Sequence, residues 1–341
     1  MKLGVIGLPQ SGKTTVFEAL TQSAVGKDHK GDFRLATIPV PDERVDALKR
    51  IYKPQKTIFA QVEFCLSQRP ARAKTETGYM SQMRECDALV HVVRNFGGYG
   101  FETPHPAHDF DTMAQELILA DLVVIEKRLE RIVLDQKRGK KSDQTEARLL
   151  DECRQHLEGE RSLSKNPDLA LAPQLRGFAF VSAKPMLVLF NNEDEDEALP
   201  NIENIVEHEE CLVIRGKLEQ ELAQMEVEEA REFLSEFNIT ASAMDRVIRK
   251  SYEALGQISF FTVVNKEVRA WTIKKGTAAL DAAGTIHTDM QRGFIRAEVI
   301  AYNDLIQAGH YREAKKMGAV RLEGKDYVVR DGDIINFRFN I

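Results

Sequence analysis

Cysteine is scarce and scattered. Cys65, Cys86, Cys153 and Cys211 form no C-x-x-C pair, which excludes a disulfide framework and a cysteine zinc knuckle and leaves reduced, buried thiols in a cytoplasmic protein as the expectation. The eight histidines contain no H-E-x-x-H or other zinc-like spacing. No apolar run is long enough to span a bilayer, so no membrane partner is expected, and the short apolar stretch after Lys2 does not read as a signal peptide. Charge is nearly balanced: −6 over 341 residues argues against wholesale coating of nucleic acid. The balance is uneven along the chain. Ile258 to Ile341 holds 13 Lys and Arg against 10 Asp and Glu, a local +3 that leaves −9 elsewhere. With 43% hydrophobic and 29% charged residues, the composition is that of a globular protein, and the length exceeds one ordinary core.

The stretch that is present and most specific is Gly7-Leu8-Pro9-Gln10-Ser11-Gly12-Lys13-Thr14. It satisfies G-x-x-x-x-G-K-[ST], the Walker A phosphate loop, at every fixed position. Met1 to Ile6 reads as a short buried strand before it, and Thr15 to Leu20 opens a helix behind it. Glycine lets the backbone wrap a phosphate and turn its N–H groups inward, and the helix N-terminus adds partial positive charge. Gly7, Pro9, Gln10, Ser11, Gly12, Lys13, Thr14 and Thr15 are therefore the nucleotide-binding candidates. Lys13 is expected at the β/γ-phosphates, and the Thr14 hydroxyl is the expected Mg²⁺ ligand.

Further along, Ser23 to Phe33 reads as a loop and Thr37 to Pro41 as a plain extended segment. Asp42 is placed to cap a helix over Glu43–Ile51. Thr57 to Leu66 reads as the second main strand. In phosphate-loop hydrolases such a strand commonly ends in Asp-x-x-Gly, whose Asp holds the metal. Here it runs Glu63-Phe64-Cys65-Leu66-Ser67-Gln68-Arg69, with neither residue, and continues into a basic loop over Arg69–Gly78. After a helix over Ser81–Cys86, Ala88 to Val93 is a buried strand in which His91 reads as a satisfied core histidine. Asn95 to Asp109 reads as a long loop. Met113 to Leu134 is a helix whose Ile118, Leu122, Ile125, Leu129 and Ile132 alternate spacings of four and three. A basic turn follows, and Thr145 to Leu157 returns with Leu150, Cys153 and Leu157 on one face, forming an antiparallel helical arm. Lys184 to Phe190 is a strand leading into Asn191-Asn192-Glu193-Asp194, where a GTPase carries Asn-Lys-x-Asp to read its base. Asn and Asp are present and Lys is not. Cys211 to Ile214 is a short strand, and Glu219–Leu234 and Met244–Leu255 are amphipathic helices. From near Gln257 the pattern turns to strands: Phe260–Val264, Glu267–Ile273, Phe294–Ile300, Tyr327–Val329 and Ile334–Phe339. Short helices over Gly276–Ala283 and Tyr302–Leu305 complete a small β-grasp domain.

The whole chain resembles the YchF, or Obg-like, ATPases. The resemblance is carried by Lys266-Glu267-Val268-Arg269-Ala270-Trp271-Thr272-Ile273, by Ala282 through Asp289, by Gly293-Phe294-Ile295-Arg296-Ala297-Glu298 and by Glu323 through Asp333. Upstream it is carried by Pro41-Asp42-Glu43-Arg44, Lys53-Pro54-Gln55, His91-Val92-Val93-Arg94 and Leu117 through Leu122. It implies an α/β architecture: a P-loop NTPase domain with an inserted coiled-coil arm and a C-terminal TGS-type β-grasp domain. The corresponding boundaries are 1–112 and 177–257 for the two parts of the nucleotide domain, 113–176 for the arm and 258–341 for the TGS-type domain. It also implies a cytoplasmic protein that hydrolyses ATP, often in preference to GTP, and associates with ribosomes. The family's base-reading Asn-x-x-Glu falls here on Asn191 and Asp194. Two departures stand out. The family's first-switch stretch is missing after Arg34–Pro39, and Leu66 occupies the place of the Asp in Asp-x-x-Gly. The loop of the family's proposed catalytic His is shortened, and His105 and His108 lie nearby without matching it.

The expected function is thus binding of a purine nucleotide, ATP or GTP with Mg²⁺, with slow or absent hydrolysis and no identifiable catalytic residue. The alternative is an interaction module, its P-loop structural, that docks on RNA or the ribosome through the arm and the TGS-type domain. A small-molecule kinase is disfavoured, since no acceptor-binding carboxylate or lid arginine cluster stands out.

Overall fold

A computed structural model describes residues 1–21, 33–67, 77–97, 102–140, 143–202, 205, 207–225, 242–264 and 266–340. The chain divides into two compact units. One comprises Lys2–Thr37 and Glu63–Lys250, the other Met1, Ile38–Val62 and Ser251–Ile341.

The first unit is built on a sheet of β1 (Lys2–Ile6), β2 (Phe33–Pro39), β4 (Gln61–Ser67), β5 (Ala88–Asn95), β6 (Met186–Asn192) and β7 (Glu210–Ile214) in the order β2-β4-β1-β5-β6-β7. β1 pairs in parallel with β4 on one side and β5 on the other, and β5, β6 and β7 continue in parallel. Strands buried on both faces read as unbroken apolar runs, and Leu3, Val5, Ile6, Val90, Val92 and Val188 are all fully buried. Strand order reverses at β1, and ligands of open α/β sheets bind beyond the carboxyl ends of the strands at such a point. The turn leaving β1 is the Gly7–Thr14 loop, which runs directly into α1 (Lys13–Thr21).

The arm forms as its periodicity requires. α4 (Pro106–Lys137) and α5 (Gln144–Glu158) pack through Ile118, Ile125 and Ile132 against Leu150, Cys153 and Leu157, with Leu122 and Leu129 alongside. Asp143 caps α5 by accepting from Thr145 N and Glu146 N at 2.8 and 3.3 Å. Arg128 clamps Glu146 with two bonds of 2.6 and 2.9 Å, the planar fork geometry in which arginine binds carboxylate best. α4 begins at Pro106, well inside the expected loop over Asn95–Asp109, because proline is pre-set for a first helical turn.

The second unit holds β3 (Lys56–Ile58), β8 (Gln257–Val264), β9 (Glu267–Lys274), β10 (Phe294–Ala301), β11 (Arg321–Glu323) and β12 (Asp333–Phe339) in the order β11-β10-β12-β8-β9-β3. The helix Ala279–Ile286 lies across one face. Ala279, Ala282 and Ala283 bring its backbone close to Phe260, Ile273, Val299, Ile335 and Phe337. This is the β-grasp arrangement. Asp42 caps α2 (Glu43–Tyr52) as expected, accepting from Arg44 N at 3.0 Å, and the Arg44 guanidinium reaches Asp331 at 2.7 Å.

Two further expectations change. Thr57–Leu66 is not one strand: β3 and β4 belong to different sheets, parted at Phe59-Ala60, and an apolar β-rich run carries no signal for such a parting. Tyr327–Val329 is not a strand; Val328 makes only an isolated bridge to Ala278. The helix Tyr311–Lys316 and the short edge strand β11 were not anticipated. The expected loops over Ser23–Phe33 and Arg69–Gly78, and the later part of the helix expected over Glu219–Leu234, lie largely outside the described residues.

Candidate functional site

Gly7 leaves β1 at φ +149° and Gly12 enters α1 at φ +85°. Both values are strained for any residue with a Cβ, and there is no room for one. A Cβ on Gly7 would lie 2.4 Å from the Val92 carbonyl oxygen, and one on Gly12 would lie 2.2 Å from Asn191 Nδ2. Gln10, between them, is also left-handed at φ 66°. Pro9 and Gln10 are exposed at the loop crest, Thr14 is exposed at the start of α1, and Thr15 is half-buried. Lys13 Nζ donates to Leu8 O at 2.6 Å, so the ammonium arches over its own loop. Ser11 is buried, and its hydroxyl has no hydrogen-bond partner among the described residues.

Asn191, the last-but-one residue of β6, joins the phosphate loop to the start of the helix that follows β7. Its Nδ2 donates to Ser11 O at 3.1 Å, and its Oδ1 accepts from Gly216 N at 3.0 Å. The residue is 4% exposed, so both bonds form away from competing water. Asp194 is half-buried three residues later. Its Oδ1 accepts from Leu218 N at 3.2 Å, capping the helix Gly216–Leu222. Of the expected site residues, Asn191 lies against the 7–15 loop through Ser11 and Gly12, while Asp194 is held on the first turn of the helix Gly216–Leu222. Phe96 and the Arg215-Gly216 pair join them and were not anticipated. Phe96 Cε1 would lie 3.7 Å from a Cβ on Gly12. Beside it, Gly97 N donates to Glu193 Oε1 at 2.9 Å and Asn95 Nδ2 to Asn192 Oδ1 at 2.9 Å, closing the ends of β5 and β6 together. An Arg-Gly pair following a strand carries no signal of its own; only its partners 20-odd residues upstream give it meaning.

His105 stands at the N-cap position of α4 without a side-chain capping bond, and His108 is exposed on its first turn. Leu66 is buried at the end of β4, beside Val5 of β1. An apolar side chain there cannot ligate a metal through water. Among the described residues no cluster of three or more His, Cys, Asp or Glu could hold a metal on its own.

His91 is buried as expected but is not satisfied. Neither ring nitrogen has a partner among the described residues, and the ring stacks on Phe110 at 5.6 Å. Burial, and secondarily the charge on Lys13, pushes its imidazole down to about 3 from 6.5. Between those two values the unfolded chain binds a proton that the folded chain refuses. Stability from this residue is thus complete above pH 6.5 and lost as pH falls, at up to about 1.4 kcal/mol per pH unit. His91→Phe is expected to flatten the fall in urea midpoint between pH 7 and pH 5. An unchanged pH dependence in the variant would rule this out.

Fold and loop define the class: a P-loop nucleotide-binding domain bearing a helical arm, followed by a β-grasp domain. Residues 257–340 match the model of the YchF-GTPase C-terminal family, described as "Protein of unknown function (DUF933)". The ribosome-binding ATPase YchF of Pasteurella multocida is 38% identical over 365 residues, covering 100% of this chain and 99% of that protein. The ribosome-binding ATPase YchF of Bacillus subtilis is 36% identical over 362 residues, covering 99% of each. Among solved structures, the YchF GTPase of Schizosaccharomyces pombe matches with a TM-score of 0.83 at 27% identity, over 99% of this chain and 97% of that one. The chain belongs to the YchF family.

Proposed function

We propose that this chain binds a purine nucleoside triphosphate, ATP or GTP, with Mg²⁺ and acts in the cytoplasm in association with the ribosome. The observation that carries the reading is Asn191, which bonds the phosphate loop through Ser11 O and the start of the helix after β7 through Gly216 N. These two bonds support reading the loop and the turn after β6 as parts of one nucleotide site. Gly7, Pro9, Gln10, Ser11 and Gly12 supply the backbone around the phosphates, Lys13 the cation, Thr14 and Thr15 the helix-start hydroxyls, and Asn191 and Asp194 the base contacts. The exposed Thr14 hydroxyl fits a Mg²⁺ ligand, and the ion would supply charge neutralisation at the β- and γ-phosphate oxygens. Ribosome association is supported by the ribosome-binding relatives in Pasteurella multocida and Bacillus subtilis.

Hydrolysis is slow in this reading. Leu66 in place of a carboxylate supports that, since losing one transition-state group commonly costs about 10²–10³ in rate. The test is calorimetric titration of the full chain with ATP and GTP, with and without Mg²⁺, beside Lys13→Ala. Affinity is expected to fall at least about 100-fold in the variant, with its thermal unfolding unchanged. Equal affinity in both proteins would refute the site. Turnover at the rate of a relative that keeps Asp-x-x-Gly would refute slow hydrolysis. Co-sedimentation with ribosomes across a salt series tests the partner.

A further inference from the structure

Two of the four thiols meet at a glycine. Gly4 of β1 pairs in register with Cys65 of β4, and in-register partners on neighbouring strands face the same way. Cys65 therefore stands beside a position that has no side chain. Cys86, just beyond the helix Thr77–Arg84, packs onto the same position: a Cβ on Gly4 would lie 3.1 Å from Cys86 Sγ and 2.7 Å from Met83 Sδ. Both cysteines belong to one buried cluster with Met83 and Leu89. Each thiol's ionisation responds first to the other, ahead of burial. Contact with the Cys86 thiol, and then the charge on Lys2, holds Cys65 below the ordinary thiol range against the effect of burial. Cys86 is pushed up by the same contact and by burial, and its Sγ also donates to Gln82 O at 3.6 Å. For Cys153 and Cys211 burial comes first and pushes each up to about 11.

We propose that Cys65 and Cys86 are a modification site, a pair that hydrogen peroxide closes to a disulfide within the folded protein. The Cys65 thiolate attacks one peroxide oxygen, the O–O bond breaks, and the hydroxide that leaves takes up the proton Cys65 gave up. The Cys86 sulfur then attacks the Cys65 sulfenic acid. The S–S bond forms, the S–O bond breaks, and the Cys86 proton departs with that oxygen as water. Two thiols and one peroxide give one disulfide and two waters. Both sulfurs are buried, which bars bulky or charged oxidants and leaves a small neutral one. Cys86 stands between exposed Glu85 and Asp87, so solvent begins one residue to either side of it. The bridge would tie the end of β4 to the end of the helix Thr77–Arg84, closing the segment that opens at Leu66. The proposal is independent of the nucleotide reading.

The test treats the folded, full-length protein with hydrogen peroxide at neutral pH, blocks the remaining thiols with N-ethylmaleimide and digests with trypsin without reduction. Cleavage after Lys56, Arg72, Arg84 and Arg94 puts the two cysteines on peptides 57–72 and 85–94, since the Arg69-Pro70 bond resists the enzyme. These peptides are expected to run as one species, lighter by two hydrogens than their sum, and to part in dithiothreitol. Cys153 and Cys211 are expected to carry the blocking group. Dimedone, which traps sulfenic acid, is expected to label Cys65 in Cys86→Ser at least about tenfold more than Cys86 in Cys65→Ser. Absence of the linked peptide from the unaltered protein, at peroxide levels that oxidise glutathione in the same tube, would overturn the proposal, and that measurement needs no variant to fold. Linkage that appears only after urea has unfolded the chain would overturn it too, as would bridges to Cys153 or Cys211 in equal yield.

Discussion

Gly7→Ala is expected to destabilise the nucleotide unit by about 3 kcal/mol or more. Two independent penalties combine. The backbone sits at φ +149°, where an L side chain is strained. The new Cβ would also lie 2.4 Å from Val92 O and 2.8 Å from Ser11 Oγ. Val92 O belongs to β5, which is held in register by β1 on one side and β6 on the other, so it cannot retreat without parting a central ladder. Gly12→Ala provides the contrast. Its Cβ meets Asn191 Nδ2, the end of a side chain, which can rotate away. Rotation, however, strips Ser11 O of its donor and Gly216 N of its acceptor. Gly12→Ala should therefore cost less stability than Gly7→Ala and more nucleotide affinity per unit of stability lost. Urea unfolding followed by circular dichroism, with nucleotide titration of whatever remains folded, separates the two. A Gly7→Ala protein within about 1 kcal/mol of the parent would contradict the account.

These contrasts bear on what was legible in the residues alone. The phosphate loop could be read because its chemistry constrains the backbone: only glycine tolerates the geometry at positions 7 and 12, so the requirement is written into the sequence. The arm could be read because a seam of fours and threes along Ile118 to Ile132 has no other packing solution. The parting of β3 from β4 could not, since Thr57 to Leu66 is uniformly β-favouring and the sheets that claim its two halves are assembled from strands far off in the chain. Polar residues inside elements were the other blind spot. His91 lies in an apolar strand and looks like any core histidine until its nitrogens prove to be unpartnered among the described residues. Asn191 was legible as a base-motif residue, but its bond to Ser11 O spans 180 positions and no local pattern encodes it. Asp121 was visible only as one letter in a string resembling a family.

Asp121→Ala is expected to cost about 3–5 kcal/mol, the range for removing one partner of a buried ion pair. The side chain is fully buried midway along α4. Its Oδ1 accepts from Arg84 Nη1 at 2.6 Å and Val181 N at 3.1 Å, and its Oδ2 from Ser182 N at 2.8 Å and Ser182 Oγ at 2.7 Å. One carboxylate thus ties together α3 (Thr77–Arg84), the arm helix and the 3₁₀ turn Val181–Ala183 that leads into β6. Alanine would leave two backbone N–H groups, a hydroxyl and a guanidinium without their acceptor. Asn is no remedy, because its amide nitrogen would face a donor at one of the two oxygen positions. The melting temperature should fall by on the order of 10 °C. Arg84 also donates to Ala120 O at 3.0 Å, so part of the loss comes from a cation left half-satisfied rather than from contacts deleted. The double variant Arg84→Met, Asp121→Ala should then be more stable than Asp121→Ala alone, a coupling that a double-mutant cycle reads directly. If the two substitutions instead add without coupling, the burden lies with the unpaired N–H groups of Val181 and Ser182, and the arm is fastened to the start of β6 rather than to α3.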